Sequence, residues 1–387
     1  MIRSPVHGVV QGDPERDMLL AVVDRQWYTH SVYTTEFEKR IREYIGVEHA
    51  AFCNSGSSAN LLALSTLADH EIPGDRRIKR GDEVITTAIA FATTLAPIVQ
   101  VGAVPVLIDI EPDLTVSADK IEQAITEKTK AVFLTHTLGI PFDAASISEL
   151  CDRYHLWLIE DTCDALGSSV SGRMCGSWGD LATLSFFPAH TITTGEGGMV
   201  MSDNADLMKI ARSYRDWGRA CWCKPGQDNA CGHRFANGKD HKYTYNRLGY
   251  NLKGSDLHAA IGIAQMDRLP GFVQRRRANY QYLYERLGGI PLPDGASPFA
   301  FTVEVDNASR LSGYLEKHHV GVRPMFGIDT DTLNGYNYRM SHAPNAEILN
   351  AHMVWVGCWP GLTNEQLDHT VDTIGEYDKC RLKTASS

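Results

Sequence analysis

Four cysteines are spaced in a way that suits a metal centre. Cys221 and Cys223 are separated by one residue, Cys231 follows after seven more, and Cys163 precedes the group by 57 residues. Thiolates bind both iron–sulfur clusters and structural zinc, and two closely spaced cysteines can reach one centre from a single loop. The spacing alone therefore predicts a metal site but does not decide between an iron–sulfur cluster and zinc. Zinc is the more common structural ion.

A short run of small and hydroxyl residues, Gly56-Ser57-Ser58, lies between an expected strand and an expected helix. Backbone N–H groups and hydroxyls at the positive end of a helix can hold a phosphate. The simpler interpretation is a serine-capped helix that follows a tight turn. These residues alone are compatible with both.

An acidic pair, Glu160-Asp161, follows the apolar run LWLI at the end of an expected strand. Open α/β sheets bind their ligands at the carboxyl ends of their strands. A carboxylate there could pair with a protonated pyridine nitrogen and keep a cofactor ring electron-withdrawing. A helix cap is the structural alternative.

The segments that must position these residues alternate between apolar strands and amphipathic helices. This alternation predicts an α/β fold with a largely parallel sheet and helices on both faces. Helices are expected at 35–44, 59–68 and 256–267. Strands are expected at 50–53, 83–87, 104–109, 131–135, 157–160, 184–187 and 198–201.

Length and composition narrow the class of protein. The chain has 387 residues, enough for a large domain and a smaller one. A net charge of -10 without any Lys/Arg run argues against nucleic-acid binding. The start of the chain does not resemble a signal peptide and no segment is apolar enough for a membrane helix, so we expect a cytoplasmic protein. Nine cysteines in such a chain favour thiols or a metal site over disulfides.

Four segments together resemble the sugar aminotransferase family of fold-type I pyridoxal phosphate enzymes. They are SGSSANLLAL at 55–64, IEDTCDALG at 159–167, SFFPAHTITTGEGG at 185–198 and YNLKGSDLHAAIG at 250–262. The resemblance implies a large domain with a mainly parallel seven-stranded sheet and a small C-terminal α/β domain. We therefore expect an arm over 1–25, a large cofactor-binding domain over 26–267 with a cluster loop near 221–231, and a small domain over 268–387.

His190 stands where that family carries the lysine that forms a Schiff base, three residues before TTGEGG. Imidazole cannot form this bond, but it can move protons near neutral pH. A histidine here resembles the sugar 3-dehydratase branch, which uses pyridoxamine phosphate. One type in that branch adds a 2Fe-2S cluster, and its cysteine spacing matches this chain. The resemblance thus implies cluster ligands at Cys163, Cys221, Cys223 and Cys231.

The same resemblance implies how the cofactor is held. Phe91 would pack on its ring, Asp161 would pair with the ring nitrogen, and the serines would hold the phosphate. Asn251 would reach the phosphate of a neighbouring subunit, which implies a homodimer. The expected cofactor contacts are Gly56, Ser57, Ser58, Phe91, Asp161, Ser185 and Asn251.

The resemblance implies an enzyme that removes the C3 hydroxyl of a 4-keto deoxysugar, expected to be nucleotide-linked. His190 would act as the base at the cofactor C4′ carbon. A flavin or iron–sulfur reductase, or a ferredoxin-type donor, would supply electrons. Three alternatives are a cluster-free dehydratase, an aminotransferase-like protein acting on a non-nucleotide sugar, and an inactive sensor or electron carrier on the same fold.

Overall fold

The computed structural model describes residues 2–221, 223, 229, 231–232, 234–235, 238–328, 331 and 333–384, with side chains up to residue 377. The strands are β1 (His49–Cys53), β2 (Glu83–Thr87), β3 (Val104–Ile108), β4 (Thr129–Thr135), β5 (Trp157–Asp161), β6 (Ser169–Val170), β7 (Arg173–Met174), β8 (Leu181–Ser185), β9 (Gly198–Ser202), β10 (Ala300–Glu304), β11 (Val322–Pro324), β12 (Arg339–Met340) and β13 (Met353–Gly357). The α-helices are α1 (Asp13–Arg25), α2 (Val32–Ile45), α3 (Gly56–Leu67), α4 (Ala92–Gln100), α5 (Ala118–Ala124), α6 (Ala144–Arg153), α7 (Ala205–Arg215), α8 (Asp256–Leu287), α9 (Ala308–Lys317), α10 (Pro344–His352) and α11 (Asn364–Thr384). Short 3-10 helices lie at Thr137–Gly139 and His241–Tyr243.

The largest sheet in the described part of the chain has the order β1-β9-β8-β5-β4-β2-β3-β12. β9 is antiparallel to both of its neighbours, and the remaining neighbours pair in parallel. The mainly parallel α/β fold predicted from the sequence is therefore confirmed. The expected count of seven strands becomes eight, because the two-residue β12 adds to the edge at β3. β12 lies in the last part of the chain, and the sequence there has no apolar alternation that would predict a strand.

Alternating side chains place helices on both faces of this sheet. In β4, Ala131 and Phe133 pack with residues of α3, α4 and α7, whereas Val132 and Leu134 pack with residues of α5 and α6. Successive strand residues point to opposite faces, and strands buried on both sides read as continuous apolar runs. This explains why the sequence shows the strands so clearly.

The long helix α8 links the large sheet to the C-terminal sheet β10-β13-β11. Leu269 and Phe272 pack into the core beside the large sheet, whereas Tyr280 and Leu283 pack into the core around the C-terminal sheet. The boundary expected between residues 267 and 268 consequently falls inside a continuous helix. The expected arm also contains α1, whose Glu15 accepts a hydrogen bond from the α8 residue Gln265 at 2.7 Å.

Among the described helices, none combines the length and the apolar surface that a bilayer crossing requires.

A buried arginine in α8 joins two segments that border the carboxyl ends of the strands. Arg276 is 1% exposed, and its Nη1 donates to the carbonyl oxygen of Phe299 at 2.9 Å. Its Nη2 donates to the carbonyl oxygen of His190 at 3.0 Å. Because α8 supplies these donors from within the core, Arg276 fixes the backbone of His190 relative to the segment before β10.

Replacing Arg276 with Met should lower the free energy of unfolding by about 3 kcal/mol, because the carbonyl groups would stay buried without their donors. Urea unfolding of the purified variant measures this change. Arg310→Met, at an exposed position of α9, is the matched control and should stay within about 0.5 kcal/mol of the parent. Equal stability of the two variants would contradict the assigned role.

Candidate active site

The carboxyl ends of three parallel strands open into a cavity of about 450 Å³. Thr135 ends β4, Asp161 ends β5 and Ser185 ends β8, and all three line it. This is the edge at which open α/β sheets bind ligands. The cavity brings together most of the catalytic, cofactor-binding and metal-ligand residues expected from the sequence. Those that line it are Gly56, Ser57, Phe91, Asp161, Cys163, Ser185 and His190.

Asp161 is held rigidly at one wall of this cavity. Its Oδ2 accepts hydrogen bonds from Asn60 Nδ2 at 3.0 Å and from Thr94 Oγ1 at 2.7 Å. Its Oδ1 accepts one from the backbone N–H of Cys163 at 3.1 Å. A carboxylate can accept about four hydrogen bonds, so it retains capacity for a cationic N–H donor in the cavity. The sequence analysis did not identify Asn60 and Thr94, because the contacts that reveal them are tertiary.

Glu160 points to the opposite face of the sheet and has a structural role. Its Oε2 lies 3.0 Å from His136 Nε2 and accepts from the backbone N–H of Gly176 at 2.9 Å. Its Oε1 accepts from the N–H groups of Trp178 at 2.7 Å and Gly179 at 2.8 Å. Burial alone would raise the pKa of Glu160, but the contact with His136 and the backbone donors outweigh burial and lower it.

The start of α3 forms both a helix cap and part of the cavity wall. Ser55 is the N-cap, and its Oγ accepts from the Ser58 N–H at 3.1 Å and lies 3.0 Å from Ser58 Oγ. Ser58 is thus engaged in the cap and does not line the cavity, whereas Gly56 and Ser57 do, and its expected cofactor contact stays a prediction. A Cβ on Gly56 would lie 2.5 Å from Ser185 Cβ, so glycine is required there.

Phe91 lies at the cavity with its ring unusually exposed. It immediately precedes α4, lines the cavity and is 56% exposed. Its ring meets Phe326 edge-on at a centroid distance of 6.1 Å. An exposed aromatic ring in a cavity is suited to stack on a flat ligand.

His190 follows β8 and is fixed through its backbone and its ring. Its N–H donates to the carbonyl of Phe187 at 2.9 Å, while its own carbonyl accepts from Arg276. The ring lies 5.4 Å from the ring of Phe299. Its Nδ1 is 3.4 Å from Asp164 Oδ1, an electrostatic contact without full hydrogen-bond geometry. With Nδ1 directed at this carboxylate, Nε2 is the nitrogen available for proton transfer.

Asp164 is a site residue that the sequence analysis did not single out. It lies in IEDTCDALG three residues after Asp161, is 8% exposed and lines the cavity. A carboxylate behind an imidazole orients the ring and stabilises its charged form. The acidic residue so close to Asp161 is the signal that could have identified it.

Cationic and ionisable groups from the N- and C-terminal parts of the chain complete the cavity. Arg323 on β11 and His7 both line it. Burial, followed by the charges of Arg323 and His190, lowers the pKa of His7. Arg323 is exposed, so its guanidinium is accessible to an anionic ligand.

Three of the four expected metal ligands lie close together, and a histidine lies beside them. The sulfur atoms of Cys221, Cys223 and Cys231 and a ring nitrogen of His241 all lie within 4.8 Å of one another. All four residues are half-buried. Three thiols and an imidazole form a donor set that suits zinc or an iron–sulfur cluster.

Cys163 is not within 4.8 Å of this group, and its expected role as a metal ligand stays a prediction. Its N–H is bound to Asp161, which fixes it just beyond β5, and its Sγ would be 3.2 Å from a Cβ on Gly56. It lines the cavity of about 450 Å³, whereas none of the other three cysteines does. Burial, and then the nearby Asp161 carboxylate, raises the pKa of the Cys163 thiol well above its ordinary value.

Asn251 is exposed and does not line the cavity of its own chain. Its backbone forms an antiparallel bridge with Asp216, and its Oδ1 accepts from Lys253 Nζ. The expected contact between Asn251 and a neighbouring subunit stays a prediction.

Comparisons with known proteins agree with this arrangement. Residues 11–375 match the model of the DegT/DnrJ/EryC1/StrS aminotransferase family. A lipopolysaccharide biosynthesis protein, RfbH, from Salmonella typhimurium is 41% identical over 96% of this chain and 91% of its own length. A dTDP-4-dehydro-2,6-dideoxy-D-glucose 3-dehydratase from Saccharopolyspora spinosa is 42% identical over 88% of this chain and 79% of its own length.

A solved structure shows the same fold. The crystal structure of a histidine-to-asparagine mutant of GDP-4-keto-6-deoxymannose-3-dehydratase, with bound GDP-perosamine, superposes with a TM-score of 0.87. It is 25% identical, and the match covers 96% of this chain and 99% of that one.

Replacing Glu160 with Gln should destabilise the protein in a pH-dependent way. Because the folded-state pKa of Glu160 is lowered, its stabilisation is present above the unfolded value of about 4.3 and is lost as the pH falls through the folded value. We expect a loss of about 2 kcal/mol at pH 7 that shrinks below pH ~4. Urea unfolding at pH 7 and at a pH below ~4 measures this difference in stability. The exposed Glu127→Gln variant is the control. A loss that is the same at both pH values would refute the linkage.

Proposed function

Since the chain belongs to the DegT/DnrJ/EryC1/StrS aminotransferase family, we propose that it is a pyridoxamine phosphate- and 2Fe-2S-dependent sugar 3-dehydratase. Its substrate is a nucleotide-linked 4-keto deoxysugar, and its product has lost the C3 hydroxyl. The observation that carries the proposal is His190, a proton-transfer group backed by Asp164, at the place where an aminotransferase needs a lysine. The 3-dehydratase from Saccharopolyspora spinosa supports it at 42% identity.

The cavity fits a pyridine phosphate cofactor. Asp161 is fixed where it can pair with a ring N–H, and Phe91 offers an exposed ring for stacking. Gly56, Ser57 and Ser185 supply small and hydroxyl groups at the positive end of α3, which suits a phosphate. When bound, pyridoxamine phosphate supplies an amine that condenses with the 4-keto carbon and a ring that accepts an electron pair.

His190 performs the proton transfer in this proposal. Its Nε2 would remove a proton from the C4′ carbon of a bound cofactor, and the Asp164 carboxylate would stabilise the imidazolium. Asp161 would keep the ring nitrogen of that cofactor protonated, which would favour loss of the C3 hydroxyl as water. Because imidazole forms no Schiff base, these residues hold the cofactor noncovalently.

Arg323 supports a substrate that carries a phosphate-linked nucleotide. Its exposed guanidinium lines the cavity, and arginine binds phosphate through paired N–H donors. We further propose that a homodimer forms, in which Asn251 of one subunit contacts the cofactor phosphate of the other. The exposure of Asn251 outside its own cavity is compatible with that contact.

The reaction needs two electrons and two protons to replace the C3 hydroxyl with hydrogen and release water. Cys221, Cys223 and Cys231, with Cys163 as the expected fourth ligand, are the thiols that would hold a 2Fe-2S cluster, and such a cluster delivers electrons one at a time. A flavin or iron–sulfur reductase, or a ferredoxin-type protein, would reduce it.

A cluster-free sugar 3-dehydratase is the second candidate, and one observation favours it. Tetrahedral zinc with Zn–S bonds of about 2.3 Å holds its ligand atoms roughly 4 Å apart. The four donor atoms lie within 4.8 Å of one another, a spacing compact enough for a single zinc ion. In that case the cysteine loop is structural and no reductase is required. The two electrons would come from the aminated cofactor, which would end as the aldehyde and would be aminated again by an amino donor.

Anaerobic purification tests the two candidates. We expect iron and acid-labile sulfide in the protein, and conversion of a 4-keto deoxysugar nucleotide to a 3-deoxy product with pyridoxamine phosphate and a reductant. His190→Asn should lower the rate of this conversion by about a hundredfold to ten-thousandfold and leave the absorbance of the cluster unchanged. His342→Asn, at an exposed position outside the cavity, is the control.

Several results would contradict the proposal. Stoichiometric zinc without sulfide removes the cluster, and retained turnover in His190→Asn removes the base. A lysine adduct of the cofactor trapped by borohydride would identify an aminotransferase instead. Failure to convert any 4-keto sugar with reductant present would favour an inactive sensor or electron carrier.

Asp164→Asn should lower kcat by roughly tenfold to a hundredfold while leaving KM for the sugar nearly unchanged, because Asp164 acts through His190. The distinguishing measurement is a double-mutant cycle with His190→Asn, scored on residual turnover or on the rate of C4′ proton exchange. Asp164→Asn should have no further effect once His190 is replaced. Additive losses would show that Asp164 is merely structural.

A further inference from the structure

We infer that His7 is a substrate-binding residue, and that with Arg323 it binds the phosphate groups that join the sugar to its nucleotide. The inference rests on the proposed function, because it requires a nucleotide-linked substrate. It gives a role to a cavity-lining histidine that the proton transfer by His190 does not use. Binding of an unreactive nucleotide sugar tests it without any turnover.

The N-terminal segment lies alongside the segment that leads into β11, the strand that carries Arg323. The N–H of Gly321 donates to the carbonyl of Ser4 at 2.7 Å, and Ser4 forms a parallel bridge with Val320. His7 lies three residues after Ser4, and Arg323 lies three residues after Val320. Because the two segments run in the same direction from this bridge, both side chains reach the same cavity.

The residues next to His7 are held against the C-terminal part of the chain. The carbonyl of Pro5 accepts from Trp359 Nε1 at 3.0 Å, and Val6 is buried. A Cβ on Gly8 would lie 2.5 Å from the Trp359 ring, so glycine allows the segment to pass close to this indole. The backbone on both sides of His7 is therefore fixed by Trp359.

Beyond His7 the same segment is bound to α8. The carbonyl of Val10 accepts from Gln265 Nε2 at 2.9 Å and from Arg268 Nη1 at 3.2 Å. Both donors belong to the helix that links the two sheets. His7 is thus held between two anchored points, and such ordering reduces the entropy that is lost when a ligand binds.

The imidazole of His7 lies in a positively charged part of the cavity. Burial lowers the pKa of His7, and the charges of Arg323 and then of His190 lower it further. Among the described residues, neither the imidazole of His7 nor the guanidinium of Arg323 has an acidic partner, and Arg323 Nη1 donates only to the Val322 carbonyl at 2.8 Å. A negatively charged ligand group is what this pair of donors would stabilise.

The cofactor phosphate already has another place in the proposed complex. Gly56, Ser57 and Ser185 line the cavity at the start of α3, which suits that phosphate. A nucleotide sugar brings a second anionic group, its diphosphate, which needs its own donors. The side chains of Arg323 and His7 provide them from the N- and C-terminal parts of the chain.

Binding of the diphosphate should depend on pH through His7. A neighbouring anion raises the pKa of an imidazole, so the complex takes up a proton and the affinity increases as the pH falls. The diphosphate of a nucleotide sugar is substituted at both ends and has no ionisation near neutral pH. The other ionisable residues that line the cavity are Asp161, Cys163, Asp164, His190, Glu196 and Arg323.

The experiment titrates the full-length protein, loaded with pyridoxamine phosphate, with nucleotide sugars that lack a 4-keto group and cannot react. The probes are GDP-mannose, UDP-glucose, CDP-glucose and dTDP-glucose. Isothermal titration calorimetry at about pH 6 and about pH 8 covers the range in which an imidazole titrates. The probe that binds most tightly to the parent is then used with every variant.

His7→Gln should weaken binding roughly tenfold at the lower pH and remove the pH dependence, because glutamine cannot be protonated. His7→Lys keeps a positive charge at both pH values, so it should bind equally well at both. It also decides the question if His7→Gln folds poorly. Two variants should keep the pH dependence of the parent: His190→Asn, which removes the other cavity imidazole, and the exposed control His342→Gln.

Unchanged affinity in His7→Gln overturns the inference and leaves the proposed function intact, as does a pH dependence that persists in both His7 variants. If the parent binds none of the four nucleotide sugars, the inference fails together with the nucleotide-linked substrate. Retained turnover in His190→Asn contradicts the proposed proton transfer alone and does not affect the binding role of His7.

Discussion

The hydrogen-bonded Asp161 carboxylate at the end of β5 is the constraint on which the site depends. Asn60 on α3 and Thr94 on α4 both donate to it. The orientation of the Asp161 carboxylate therefore depends on the relative positions of α3, α4 and β5. Glu160, one residue earlier, anchors the opposite face of the same strand through His136 and backbone N–H groups. The two acidic residues have different roles because successive side chains of a strand point to opposite faces of the sheet.

His190 is positioned from the other side of the cavity by elements that are distant in sequence. Arg276 binds its carbonyl from α8, and Asp164 faces its ring from the loop after β5. In the proposed role, precise placement matters more for this residue than for a lysine that is covalently joined to its cofactor. A noncovalent base depends on the surrounding protein for its distance to the reacting carbon.

The sequence reveals what depends on local pattern. The seven strands buried on both faces are continuous apolar runs, and Gly56, Asp161 and His190 lie in motifs at their ends. What it does not reveal depends on tertiary contact. β12 forms only because β3 offers a free edge, and the helical pattern of α8 continues through the expected domain boundary. Asp164 becomes significant only when its distance to His190 is known.

The cysteines show the same difference between what local spacing determines and what tertiary contact determines. A spacing of one and seven residues confines Cys221, Cys223 and Cys231 to one loop, so their proximity follows almost from chain connectivity. A spacing of 57 residues constrains nothing by itself, because the chain between Cys163 and Cys221 includes two strands of the large sheet and α7. His241 lies ten residues beyond Cys231 and is brought back by pairing at the base of the loop. Backbone pairing therefore accounts for the position of His241 beside the three thiols, whereas the role of Cys163 depends on contacts that the spacing alone does not determine, and it stays a prediction.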